Sequence, residues 1–165
     1  MDVENRDFLT FVAAAERYGL EYMLIGGLAL LFNGVVRFTQ DADVWMQPTN
    51  ENRDRFLQIM LDLGYEEFDL VALRAADFTQ PQIVRISEGP IDVLTQVHHR
   101  LNYDECRNRA KLWTSEAGNK AYFLDINDLR ETKILARRPK DLYDVLRIDE
   151  LLEEQKRMDG SETGQ

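Results

Sequence analysis

The chain has 165 residues, 44% of them hydrophobic and 30% charged, which suits one globular domain with a real core. Its formal net charge is −10 and its pI about 4.7, so it is not built for a broad, nonspecific grip on nucleic acid, although a local basic patch can still serve a specific RNA or nucleotide. No apolar run approaches the ~18 residues of a membrane span, the acidic start Met1-Asp2-Val3-Glu4 excludes a secretory signal, and the single cysteine, Cys106, excludes an internal disulfide; the expectation is a cytoplasmic protein without a membrane partner.

Residues 4–18 put Phe8, Phe11, Val12 and Ala15 on one side and Glu4, Asp7, Glu16 and Arg17 on the other, which predicts an amphipathic helix ended by Gly19. Tyr22-Met23-Leu24-Ile25 reads as a short buried strand. Leu28 to Phe32 reads as a short helix stopped by Asn33-Gly34. Ala42 to Met46 is a second strand, broken by Pro48. Thr49 or Asn50 can cap a helix over 51–63, with Phe56, Leu57, Met60 and Leu61 inward.

Residues 65–80 lack periodicity and predict a loop with some strand. Two runs, 82–86 and 91–94, flank Glu88-Gly89-Pro90 as a hairpin. Residues 102–111 predict a helix on which Cys106 is a small apolar filler. Ala121 to Leu124 predicts a short edge strand. Asn127 caps a helix over 128–137, and Pro139 starts another with Leu142, Val145, Leu146 and Leu152 inward. This gives one domain over 1–152 and a polar, disordered tail over 153–165.

The chemistry concentrates between Ile25 and Met46. A strand that ends in Gly26-Gly27 and feeds a helix gathers free backbone N–H groups and a helix start at one point, which favours an anion; a plain tight turn has the same sequence. Asp41 and Asp43 are two apart, so on a strand they share a face. Sixteen aspartates make about one such spacing expected by accident, so the apolar context Val44-Trp45-Met46 carries the weight. Two poorly solvated carboxylates repel, and a divalent cation relieves that; the alternative is an exposed pair bonded to Arg37 or to amides. Asp92 is another lone acid between apolar residues. If its strand pairs with 42–46, three carboxylates converge, enough for two Mg²⁺ ions about 3.5–4 Å apart, with Asp92 placed to take a proton from an attacking hydroxyl.

Arg37 can neutralise phosphate or pair with Asp41 or Asp43. Lys133, Arg137, Arg138 and Lys140 form the main basic cluster of the C-terminal half, and Asp141 and Asp144 are positioned to pair with it. His98-His99 follows the strand bearing Asp92; adjacent residues on a strand point apart, so a shared metal is not expected, and the alternatives are that one reaches the cleft or that both are surface residues. Trp45, Trp113, Tyr22, Tyr122 and Phe123 read as core or sheet-face residues.

Ile25-Gly26-Gly27, then Asp41-Ala42-Asp43-Val44, then Ile91-Asp92-Val93 resembles the DNA polymerase beta-type nucleotidyltransferase superfamily. The fuller run from Gly26 through Arg37-Phe38-Thr39-Gln40 to Asp43, with Lys133 and Arg138-Pro139-Lys140-Asp141, resembles the small bacterial nucleotidyltransferases of abortive-infection and type IV toxin–antitoxin systems. The resemblance implies an α+β fold, a small mixed sheet with flanking helices and a C-terminal helical pair. It implies Gly26 and Gly27 on the triphosphate of an NTP, Asp41, Asp43 and Asp92 on two Mg²⁺ ions, Asp92 as base, and Lys133 near the phosphates. Many members carry serine after the first glycine; Gly27 leaves only backbone donors. The implied activity moves a nucleoside monophosphate to a hydroxyl on a tRNA, a partner protein or a small molecule, with a cognate toxin or antitoxin as partner. A catalytically silent, antitoxin-like binding module on the same fold is the alternative; a structural protein whose motif is coincidence is a third.

Overall fold

The computed structural model describes residues 6–39, 41–86 and 91–162. Over these residues the protein is an α+β fold of seven helices and one six-stranded mixed sheet. The order is α1 (Arg6–Tyr18), β1 (Tyr22–Leu24), α2 (Gly26–Phe32), β2 (Ala42–Met46), α3 (Asn50–Asp62), α4 (Val71–Ala75), β3 (Ile83–Arg85), β4 (Ile91–Leu94), α5 (Tyr103–Arg109), β5 (Lys111–Thr114), β6 (Lys120–Phe123), α6 (Ile126–Ala136) and α7 (Pro139–Glu162). Among the described residues no helix is long and apolar enough to cross a membrane.

The strands lie in the order β3-β4-β2-β1-β6-β5. The short, wholly buried β1 runs antiparallel to β2, with Leu24 opposite Val44, and parallel to β6. Strand β4 lies parallel to β2 and antiparallel to β3. Side chains alternate across a strand, so Ala42, Val44 and Met46 share one face of β2 and Asp43 and Trp45 the other. The aliphatic face is closed by α1 and α3: Phe11 sits edge-on to Tyr22 and to Phe56 at 5.4 and 6.3 Å. On the other face Trp45 is closed by α5, its ring 5.5 Å from Tyr103 and its indole N–H donating to the Thr95 carbonyl at 3.1 Å. Asp43, one pleat along the same face, lines a cleft.

Several elements depart from the sequence expectations. Helix α2 begins at Gly26, not Leu28: Ile25 is the extended residue before it, and Gly26, at φ +61°, turns the chain from strand to helix. Residues 65–80 hold turns and α4 but no strand. The 102–111 helix stops at Arg109, because Lys111 to Thr114 form the outer strand β5, so β6 is an inner strand and not the edge. Asp125, not Asn127, caps α6, accepting from the Asn127 N–H at 2.8 Å. The turn expected at Glu88-Gly89-Pro90 lies outside the described residues, as do residues 1–5, 40 and 163–165.

The largest departure is α7. It pairs with α6 as expected, but its buried residues are Asp141, Asp144 and Ile148, while Leu142 and Leu146 face outward. Of the expected inner residues Leu152 packs against the core and Val145 is half-buried; Leu142 and Leu146 were misassigned because the carboxylates are drawn in by buried cations, as described below. The helix also runs on to Glu162, so residues 153–162 are helical and not the disordered tail expected. Glu, Leu, Gln, Lys, Arg and Met are good helix formers even where nothing packs on them, and residues 153–159 are all exposed.

Candidate active site

The parallel pairing of β2 and β4 sets Asp43 directly opposite Asp92. Neighbouring strands lie about 4.8 Å apart and partners share a face, so the two side chains rise side by side. Asp41 sits two residues before Asp43, just ahead of the strand, exposed at the same cleft. Asp43 is half-buried. Its carboxyl is pushed above the usual aspartate range, first by burial and then by the Asp92 and Asp41 carboxylates, against which Lys133 and Lys140 pull it down.

The Gly26 turn is packed onto this acid. The Ile25 N–H donates to the Asp43 carbonyl at 2.9 Å, and a Cβ on Gly26 would lie 2.2 Å from Asp43 Oδ2. A Cβ on Gly27 would meet Thr39 Cβ at 2.6 Å, while the Thr39 hydroxyl donates to the Asp41 carbonyl at 2.9 Å. No side chain caps the start of α2, and the first N–H groups of a helix have no acceptor within it. The turn, Asp41 and Asp43 are thus one packed unit facing the cleft.

The cleft holds about 550 Å³, within the usual range for a small-molecule site. One wall is the glycine turn with Arg37, Lys133, Arg138 and Lys140; the other is Ile83, Arg85, Leu94, Val97 and His98. Three cations of the first wall, Lys133, Arg37 and Arg138, are engaged. The buried Lys133 ammonium lies 3.3 Å from Asp141 Oδ1 and 3.0 Å from Asp144 Oδ2. Arg37 pairs with Asp144, so neither Asp41 nor Asp43 takes it. Arg138 reaches both oxygens of Asp141, at 2.6 and 3.2 Å. Burial alone would raise the Asp141 carboxyl, but the Arg138 hydrogen bonds and the Lys133 charge outweigh it and hold the carboxyl below its ordinary range.

All seven residues singled out in the sequence for the site (Gly26, Gly27, Arg37, Asp41, Asp43, Asp92 and Lys133) line this cleft. Sequence reading missed Thr39 and Arg85. Arg85 stands opposite Asp92 across β3 and β4, with Nε 3.3 Å from Asp92 Oδ2; alternation in 83–86 was visible, but its register against β4 was not. The two histidines follow the strand of Asp92 as expected, but off the strand their rings approach to 4.1 Å instead of pointing apart. His98 reaches the cleft, and burial together with His99 and Arg100 holds it below the usual histidine range. Cys106 is a buried filler whose thiol burial pushes up to about 11.

Three carboxylates are hard oxygen donors, which suit Mg²⁺ or Mn²⁺ over zinc. The mutual repulsion that raises the Asp43 carboxyl is what such an ion relieves. In this conformation no three His, Cys, Asp or Glu side chains among the described residues gather around a single point; Asp92 leans to Arg85 and Asp41 is solvent-exposed. The donors fit the ion by type and by strand register, with one Asp92 oxygen shared with Arg85. No protein-family model matches the chain, and neither does any curated protein.

Proposed function

We propose that this protein is a nucleotidyltransferase on a DNA polymerase beta-type fold, moving a nucleoside monophosphate from an NTP to an acceptor hydroxyl. The observation that carries the reading is the in-register pair Asp43 and Asp92 on adjacent parallel strands, with the Gly26 turn packed on Asp43 at the mouth of one cleft. Asp41, Asp43 and Asp92 would hold divalent ions, which when bound supply charge neutralisation to the triphosphate. The backbone N–H groups at Gly26 and Gly27 bind phosphate oxygens. Lys133, Arg138 and Lys140 add positive potential on that wall. Asp92 accepts the proton as the acceptor oxygen bonds to the α-phosphorus and the bond from that phosphorus to the pyrophosphate oxygen breaks.

The test is incubation of the protein with each labelled NTP and Mg²⁺ in a cell extract, then fractionation of the label into RNA, protein and small molecules. The expected result is label on one class, lost by a hundredfold or more, the rough scale for removing one transition-state charge contact, in Asp43→Asn and Asp92→Asn proteins with unchanged circular dichroism. Wild-type turnover in Asp43→Asn overturns the assignment. The fraction that takes label names the acceptor among tRNA, partner protein and small molecule. Label on a partner encoded beside this chain supports the toxin–antitoxin role that the sequence resemblance suggests.

One group of contacts favours a second reading, a nucleotide-binding module without turnover. Arg37 and Lys133 are already neutralised by Asp144 and Asp141, and Asp92 by Arg85. Metal-dependent NTP binding by calorimetry, with no label transferred to any fraction, selects this reading over the first.

A further inference from the structure

Read across the strands, the sheet beneath the cleft is ordered in rows. Asp43, Asp92 and Arg85 stand in register as one row; Trp45, Leu94 and Ile83, two residues further along β2 and β4, form the next. Residues two apart on a strand share a face and lie about 7 Å apart. In the second row Trp45 is covered by Tyr103, Leu94 is half-buried, and Ile83, on the edge strand, is 66% exposed. Leu94 and Ile83 line the cleft, and so do Val97 and His98 from the segment after β4. Arg85, on the same wall, is drawn to Asp92. A charged row is thus followed, one pleat on, by an apolar one that faces the same space.

His98 supplies the polar atom of this apolar patch. Its Nδ1 accepts the Arg100 N–H at 3.2 Å, so the neutral ring carries its proton on Nε2. The ring's other neighbour is His99, at 4.1 Å, and among the described residues no acceptor takes the Nε2–H. A few apolar side chains with one fixed polar group are the usual lining of a small-molecule site. A nucleoside triphosphate has one part that suits such a lining. Its phosphates belong with the glycine turn and the cations, while its base has apolar faces and a rim on which all four bases carry hydrogen-bond acceptors. The step of about 7 Å between the rows is one that a ribose bridges between the α-phosphate and the base.

We propose that Ile83, Leu94, Val97 and His98 form the nucleobase subsite of the cleft, with the His98 Nε2–H donating to an acceptor on the edge of the base. The assignment rests on the nucleotide reading of the cleft. It is tested by calorimetry of the full chain with Mn²⁺ and each of ATP, GTP, CTP and UTP, against ribose 5-triphosphate, which lacks only the base. The best-bound NTP is expected to bind wild type at least about tenfold tighter than ribose 5-triphosphate. His98→Leu should weaken that NTP by about three- to tenfold, the scale of one neutral hydrogen bond, and leave ribose 5-triphosphate unchanged. His98→Gln, which keeps an N–H donor near the place of Nε2, should retain most of the affinity. Ile83→Ser, at an exposed position, should also weaken the NTP alone, and it decides the matter where His98→Leu does not fold. Equal affinity of wild type for NTP and ribose 5-triphosphate overturns the subsite and leaves the nucleotide reading standing. So does a loss in His98→Leu or Ile83→Ser that falls equally on both ligands, or no loss in either variant. A His98→Gln protein as weak as His98→Leu overturns the hydrogen bond. Wild type that binds neither ligand with Mn²⁺ overturns the subsite and the nucleotide reading together.

Discussion

A serine at position 27 would set its Cβ 2.6 Å from Thr39 Cβ and 2.7 Å from the Thr39 hydroxyl. The glycine there is a packing requirement of this chain as well as an opening for phosphate. Gly27→Ser is expected to destabilise by about 1–3 kcal/mol, the usual scale of overpacking, and adding Thr39→Gly should recover most of that, read by urea denaturation of the two single variants and the double. Full additivity would mean the two positions do not meet. At the neighbouring acid the expectation concerns pH. Because folding raises the Asp43 carboxyl, through burial and the facing Asp92, the stability that its protonated form lends is complete below the ordinary aspartate range. It is lost as pH rises through the higher folded-state value. Asp43→Asn should therefore be more stable than wild type at neutral pH and show no advantage in acid. A denaturation series from pH 3 to 8, roughly the span over which carboxylates titrate, checks this, and an Asn variant less stable at neutral pH than the wild type would contradict it.

Among the elements, α7 is held by charge where its sequence pattern suggested leucine. Asp144 lies between Arg37 and Lys133, and its side chain is 4% exposed. Removing one member of such a cluster leaves its partners unpaired away from water, which costs about 3–5 kcal/mol. Asp144→Ala is expected to lose that much by urea denaturation, well beyond a surface change. Asp144→Asn, which keeps the shape but not the charge, should fall between. The cluster also has a geometric consequence. Ion pairs from α6 and from the 35–39 loop end on α7, so the helix fixes one wall of the cleft without lending it a catalytic group. In the nucleotidyltransferase reading, triphosphate and the α7 carboxylates compete for the same cations.

For the whole molecule, a net charge of −10 surrounds a cleft in which Lys133, Arg37 and Arg138 are internally paired. Polyanions gain little from such a surface, whereas a cation and a nucleotide bound together bring their own neutralisation. Anything that binds only the folded state stabilises it by mass action. Mn²⁺ with NTP at a hundred times its dissociation constant should add about 2.7 kcal/mol to unfolding. That gain should vanish in Asp92→Asn, as read by thermal melts with and without ligand. An equal gain in both proteins would remove Asp92 from the site.

Local pattern was enough for the elements whose partners are close in sequence or whose faces are wholly apolar. Phe8, Phe11, Val12 and Ala15 of α1 are buried as their spacing requires, Trp45 is core, and Thr49 caps α3. The acids at 41, 43 and 92 were legible as a group because a strand shows its faces in its alternation. What no local pattern contains is which strands adjoin, in what register, and which charge is met by another far along the chain. Only the tertiary structure decided that Asp43 stands beside Asp92, that Arg85 holds Asp92, and that β5 is the outer strand. The pairing of Asp141 and Asp144 with the nearby basic cluster was legible, but that it turns α7 acid-side inward was not: burying a carboxylate is unfavourable in isolation and becomes tolerable once Lys133 of α6 and Arg37 of the 35–39 loop meet it.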